Sequence, residues 1–335
     1  MKRLFLLCLL LLFATGSAPV PLYDPHRDGA LADLAILVVD DEGIPVDGAD
    51  LCVSFATGSV DDVERTGQTD KAGRFHARCE TTSSIWILAQ KEGYYRTRLH
   101  VDAQNVPYSV ATETRKWSAG PVDTKVVLKK IRNPANLILK GALYLRAPIP
   151  ATNTLMGFDL ELFDWCPPYG LGVHDDLQLE YDFWRSSTNW FQVYSRLTLT
   201  MTNGVDGLYL EPVDAYSALK RCYRANPNAT YQRRLEFVYD RRTGEVALDL
   251  PMPEDQYMVL RTRTKTNEVG EVVSANYALL FENGECGAGV ISMRVGFNPT
   301  PNDTNLECTD EPHERRRNAT QTRRPPDWKP TPPIQ

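Results

Sequence analysis

The chain has 335 residues, 42% of them hydrophobic and 10% aromatic, which is enough to bury two cores of ordinary domain size. Its net charge of −6 argues against a nucleic-acid partner, whose phosphates call for a basic face. Polar and apolar residues alternate in many short stretches between Gly- and Pro-rich turns, so the expected class is all-β.

Lys2 and Arg3 precede an apolar run from Leu4 to Ala14 that stops at Thr15, Gly16 and Ser17. That layout is a secretory signal peptide over 1–16, and the run is shorter than the ~20 residues a spanning helix needs. No other apolar stretch predicts a membrane span. Cleavage removes Cys8 and leaves Cys52, Cys79, Cys166, Cys222, Cys286 and Cys308, an even set in an exported chain. A Cys52–Cys79 disulfide is expected within the first domain, and the pairing of the other four stays open. No Cys-x-x-Cys pair or ligand-spaced histidine pair points to a metal, and nothing points to a cofactor.

Residues 17–31 form a leader containing Pro19, Pro21 and Pro25. The first module spans 32–131. Leu34 to Val39 make an apolar strand ending at Asp40–Gly43, and Leu51, Val53 and Phe55 then alternate with Cys52 and Ser54. A turn over 69–73 precedes Phe75, Ala77 and Cys79, Ile85 to Ala89 form another strand, and Val126, Val127 and Leu128 close the module. Short strands separated by turn signals predict a small antiparallel sandwich. The long connection over 103–123, with Trp117, Gly120 and Pro121, is either a binding loop or an insertion.

Three strings carry a resemblance: Val39-Asp40-Asp41-Glu42-Gly43-Ile44-Pro45-Val46-Asp47-Gly48-Ala49, Thr69-Asp70-Lys71-Ala72-Gly73-Arg74-Phe75 and Ala89-Gln90-Lys91-Glu92-Gly93-Tyr94. In this order they resemble the carboxypeptidase regulatory-like modules, which have a transthyretin-like, Ig-like sandwich. The resemblance implies a non-catalytic spacer or interaction module appended to exported proteins.

Residues 132–156 read as a linker, and 157–308 as a second β-sandwich-like domain. Leu177, Leu179, Tyr181 and Phe183 share one strand face, Leu197, Leu199 and Met201 another, and Met258, Leu260, Thr262 and Thr264 oppose Arg261, Arg263 and Lys265. The strings 157–160, 164–170 and 298–303 resemble a companion region of exported bacterial proteins of the verrucomicrobial kind. That resemblance implies a bacterial source and assigns no activity. The tail over 309–335 is rich in Arg and Pro and reads as a disordered basic segment, either a tether to acidic envelope polymer or an inert end.

No nucleophile elbow, zinc helix, phosphate loop or dinucleotide fingerprint is present, and His26, His76, His100, His174 and His313 are scattered. Two stretches invite chemistry. Asp159, Glu161, Asp164, His174, Asp175 and Asp176 would supply an acid and base for a sugar, or oxygen ligands for calcium, although such runs are more often solvated. Trp165, Tyr169, Tyr181, Phe183, Trp184, Trp190, Phe191 and Tyr194 are crowded, and aromatics of this kind most often build β cores. With Trp184 and Trp190 outward and Phe183 and Phe191 inward, they would form a sugar-stacking platform, for which Trp184, Trp190, Trp165 and Tyr169 are the candidate ligand residues. The expectation is a secreted, periplasmic or cell-surface structural or interaction protein that is not an enzyme. A carbohydrate-binding protein is the alternative, with a glycan or envelope polymer as partner.

Overall fold

In the computed structural model the described residues are 22–58, 62–82, 84–140, 146–214, 216–245, 247–249, 256–285 and 290–308. The signal segment 1–16, Cys286 and the tail 309–335 lie outside them. The fold is all-β and divides after Leu128 into two compact units.

The first unit contains β1 (Ala30–Asp40), β2 (Asp50–Phe55), β3 (Val63–Gln68), β4 (Arg74–Thr81), β5 (Ser84–Gln90), β6 (Thr97–Asp102) and β7 (Val122–Leu128), with two short helices, α1 (Pro25–Asp28) and α2 (Tyr108–Thr114). One sheet has the order β4-β1-β7 and the other β3-β2-β5-β6. Every pairing is antiparallel except β1 with β7, which runs parallel in a register that sets Leu34 against Val122. Alternation along β1 and β2 sends Leu34, Ile36, Leu51, Val53 and Phe55 into a common core with Ile85, Ile87, Val126 and Leu128. The turn strings fold as turns. Asp40 accepts the N–H groups of Glu42 and Ile44, Asp70 accepts those of Ala72 and Arg74, and Gly73 has a φ of 71° in the left-handed region. A Cβ on Gly73 would lie 2.4 Å from the Val38 carbonyl oxygen, so this turn admits no side chain.

Two expectations for this unit are corrected. Cys52 and Cys79 are thiols, not a disulfide. Alternation explains why: Cys52 lies between inward Leu51 and Val53 and so faces outward on β2, whereas Cys79 packs against the core from β4 in the opposite sheet. The leader is structured from residue 22 on, supplying α1 and the start of β1, and His26 rests against Tyr108 and Trp117 at centroid distances of 5.6 and 5.1 Å. Of the two readings of the long connection over 103–123, the insertion fits, since the segment plugs the core. Trp117 is fully buried and donates its indole N–H to the Thr81 carbonyl at 2.6 Å.

The second unit contains β8 (Ile138–Lys140), β9 (Arg146–Pro148), β10 (Leu155–Asp159), β11 (Asp164–Trp165), β12 (Leu177–Arg185), β13 (Val193–Met201), β14 (Gly207–Pro212), β15 (Arg234–Asp240), β16 (Ala247–Asp249), β17 (Gln256–Thr266), β18 (Val272–Glu285) and β19 (Val290–Asn298). Its sheets have the orders β11-β10-β12-β13-β15-β16 and β14-β17-β18-β19-β8, and β9 also pairs with β19. The stretch read as a linker is therefore part of this unit. Ile138, Leu139 and Lys140 pair with β19, and Leu155 to Phe158 pair with β12.

Between the two sheets lies a core that includes Phe158, Leu179, Tyr181, Leu199, Phe237, Leu260, Leu280 and Phe297. The β14-β17-β18-β19-β8 sheet carries a second apolar layer on its far side, where Tyr209, Tyr257, Val259, Tyr277 and Leu279 meet Leu137, Ala225, Leu306 and Cys308. Strands β17 and β18 are accordingly apolar on both faces, as strands buried on both sides must be. Strand β12 keeps strict alternation over its first six residues, because only one of its faces is covered.

Candidate functional site

The two stretches singled out by composition fold into different things. The acidic stretch becomes an anchored loop cluster. The Asp159 carboxylate is buried and accepts the backbone N–H groups of Glu161, Leu162, Val173 and His174 at 2.8–2.9 Å. Asp176, also buried, accepts the Leu160 N–H at 3.0 Å.

Arg263 reaches both carboxylates from β17. It sits at a register shift between Thr262 and Lys265 with a φ of 54°, so its side chain leaves the expected alternation and lies 4.6 Å above the Phe297 ring. Its guanidinium contacts Asp176 at 2.8 and 2.9 Å, Glu161 at 2.6 Å and Asp159 at 3.5 Å. Burial works to raise the Asp159 carboxyl, but the N–H groups of Leu162, His174 and Val173, with Arg263, outweigh it and hold the group below its ordinary value. Burial prevails at Asp176, whose carboxyl is raised even though Arg263 opposes the shift.

Asp164 accepts the Trp165 and Leu171 N–H groups, and Asp175 accepts the Gln178 side-chain amide. These contacts make the cluster an architectural clasp. Among the described residues no three His, Cys, Asp or Glu side chains are grouped so as to hold a metal ion.

The aromatic stretch divides between core and surface. Trp165 is buried, packs edge-on to Phe158 and donates its indole N–H to the Pro148 carbonyl at 2.9 Å. Tyr169 is half-buried against the same core. Neither takes part in a surface platform, which corrects that expectation for Trp165 and Tyr169. Trp184 and Trp190 do face solvent, at 46% and 67% exposure. Phe183 packs toward the core, but Phe191 points outward at 52% exposure and lies 4.2 Å from the Trp190 ring.

The turn joining β12 to β13 holds this arrangement. The Ser186 hydroxyl accepts the Thr188 and Asn189 N–H groups, and the Asn189 side chain accepts that of Phe191. In register, Trp184 stands opposite Tyr194, and Tyr194 opposite Asp240 on β15. Arg242 covers the Tyr194 ring at 4.4 Å and binds Asp240 with its Nε at 2.9 and 3.0 Å. Arg185 lies over Phe183 and Arg241 over Phe191. Away from this row, the outer face of the sheet carries Asp182 paired with Arg196, then Glu180, Thr198 and Glu236 side by side.

The arginines of this site have no sequence signature, because only the hairpin register brings Arg242 to Tyr194. The outward set on β12 follows from alternation alone.

No protein-family model matches the chain, and no curated protein does. Among solved structures the chain is similar to the 3-chlorocatechol 1,2-dioxygenase of Rhodococcus opacus 1CP, at 14% identity over 31% of this chain and 62% of that chain, with a TM-score of 0.24. It is also similar to the catechol 1,2-dioxygenase of Pseudomonas arvilla C-1, at 15% identity over 36% and 56% of the two chains and a TM-score of 0.24. A streptococcal ancillary pilin is similar at 11% identity over 63% and 59%, with a TM-score of 0.23. The chain thus spans less than two thirds of each of these proteins. Likenesses this distant assign neither an activity nor a fold family. Among the described residues no helix is long and apolar enough to cross a membrane.

Proposed function

We propose that the protein is an exported, non-catalytic interaction protein of the cell envelope or extracellular space, and that it makes contact through the aromatic end of the β12–β13 hairpin. One observation carries the reading: Trp184, Trp190 and Phe191 are all exposed on this hairpin, while Tyr181 is buried and Phe183 packs against the core. Large rings held in water by an ordered turn are a standing cost unless something covers them. The charged leader and apolar run over 1–16 support export, and the three turn strings support a carboxypeptidase regulatory-like spacer as the first unit. The engagement of Asp159 and Asp176 by backbone donors and Arg263 supports a structural role for the acidic stretch.

Retention of the mature protein on envelope and extracellular-matrix fractions tests the reading. Retention should fall sharply in a Trp184→Ala/Trp190→Ala variant that melts like the parent, and unchanged retention would remove the hairpin as the contact surface. Incubation with polysaccharide and peptide panels tests the non-catalytic part. Release of reducing ends or amines that disappears in Asp164→Ala or Asp175→Ala would make the protein an enzyme.

Carbohydrate binding is the second reading, favoured by the exposed Trp184 ring standing in register with Tyr194 on a sheet face whose middle carries Glu180, Asp182, Arg196 and Glu236.

A further inference from the structure

We infer that the open outer face of the β11-β10-β12-β13-β15-β16 sheet binds a neutral polysaccharide, running from the Trp184–Tyr194 row down toward Glu180. The inference rests on the reading of the hairpin as the contact surface and adds the ligand's chemical class.

Charge decides against the other ligand classes. Among the described residues, three guanidiniums of the face, Arg196, Arg234 and Arg242, are each engaged by a carboxylate of the same face, Asp182, Glu236 and Asp240 respectively, while Arg185 and Arg241 lie at the hairpin end over Phe183 and Phe191. Glu180 is a fourth carboxylate, half-buried and without a hydrogen-bond or ion-pair partner among the described residues. Away from the hairpin end the cations are already paired and the remaining charge is negative, which repels uronate, sulfate or phosphate polymers, and nucleic acid with them, along the middle of the face. A protein partner is disfavoured by the position of the charges. They lie in the middle of the face, where protein interfaces are depleted of them, and the large rings lie only at one end.

A neutral sugar chain fits both parts. The C–H faces of pyranose rings pack on aromatic faces, and the exposed Trp184 supplies one, with Tyr194 opposite it in register beneath Arg242. Sugar hydroxyls are donors and acceptors together, and fixed carboxylates are the strongest acceptors a protein offers them. Glu180 and Glu236 flank Thr198 across three adjacent strands, which makes such a row. Four residues separate Trp184 from Glu180 along β12, roughly 14 Å at the usual rise of an extended strand. The distance suits several linked sugars better than one.

Affinity electrophoresis of the mature protein tests this, with soluble mixed-linkage β-glucan and galactomannan as neutral polymers and polygalacturonate and heparin as acidic ones. The expected result is retardation by at least one neutral polymer that is insensitive to salt. It should weaken by about tenfold or more in Trp184→Ala and measurably in Glu180→Gln, with both variants retaining the parent's circular dichroism and melting curve. Stronger retardation by the acidic polymers, relieved by salt, would overturn the neutral ligand while leaving the hairpin as the contact surface. Absence of retardation by any of the four polymers would also overturn it, and retention on envelope fractions lost in the tryptophan double variant would then point to a partner that is not a glycan. Retardation unchanged in both Trp184→Ala and Glu180→Gln would place the sugar elsewhere on the molecule.

Discussion

The two outer faces of the second unit differ in what lies over them. On the β14-β17-β18-β19-β8 sheet, loops carrying Leu137, Ala225 and Leu306 bury a layer of tyrosines, and the Tyr257 hydroxyl accepts the Cys222 N–H at 2.6 Å while that of Tyr209 accepts the Asn226 N–H at 2.7 Å. On the opposite sheet no such layer exists among the described residues. Its aromatic residues stand at one end in water, and its charges are paired across strands. The same residue type thus does two jobs. A tyrosine under a loop holds that loop by its hydroxyl, and Tyr194 on the open sheet carries Arg242 on its ring.

Mutations should separate the two kinds of position. The largest effect is expected beneath both, at the clasp. Arg263→Met leaves Asp159 and Asp176 buried without their cation and should cost about 3–5 kcal/mol in urea unfolding. A loss below about 1 kcal/mol would mean that the cluster behaves like an exposed ion pair. Next comes Tyr257→Phe, which strands the Cys222 N–H and should cost about 1–3 kcal/mol, against a change within about 0.5 kcal/mol for Tyr194→Phe. Equal costs at the two tyrosines would erase the distinction between the faces.

The clasp also carries a pH dependence. Asp159 is held below its ordinary value of 3.8, so on acidification the unfolded chain takes up its proton first, and the stability from this group is lost as pH falls from that value through the folded one. Asp176, raised in the fold, has the opposite sign and contributes stability that is lost as pH rises through its folded value. Asp159→Asn should therefore flatten the acid limb of a stability–pH curve, and an unchanged limb would show that Asp159 is not the group responsible. The smallest effect belongs to the open face. Trp184→Ala should shift stability by no more than about 0.5 kcal/mol, measured by thermal melting.

Alternation made much of this legible in the sequence. It put Leu177, Leu179 and Tyr181 on the inner face of β12 and Trp184 on the outer one, and the turn strings around Asp40 and Asp70 fold as turns. What it could not convey was pairing between distant segments. Residues 138–140 contain too few residues to show a period, and only β19 makes a strand of them. Arg263 was placed on the outward side by its neighbours, and one register shift reverses it. Cys52 and Cys79 sit on strands of one sandwich, yet a thiol's facing depends on which residue begins the strand. The aromatic crowding around Trp165 to Tyr194 was visible, but its division into core and surface depended on where the β12–β13 turn fell.

The parallel pairing of β1 with β7 has a kinetic consequence. The first strand of the module finds its neighbour only when the last has been made, and Leu34 waits for Val122 while the antiparallel neighbours form by shorter loops. As the chain is synthesised N-terminus first, β1 therefore presents an open edge until nearly the whole module has been made. A chain stopped before Val122 would keep that edge exposed, a template for pairing with another molecule, so a closed first unit requires the full length of the module.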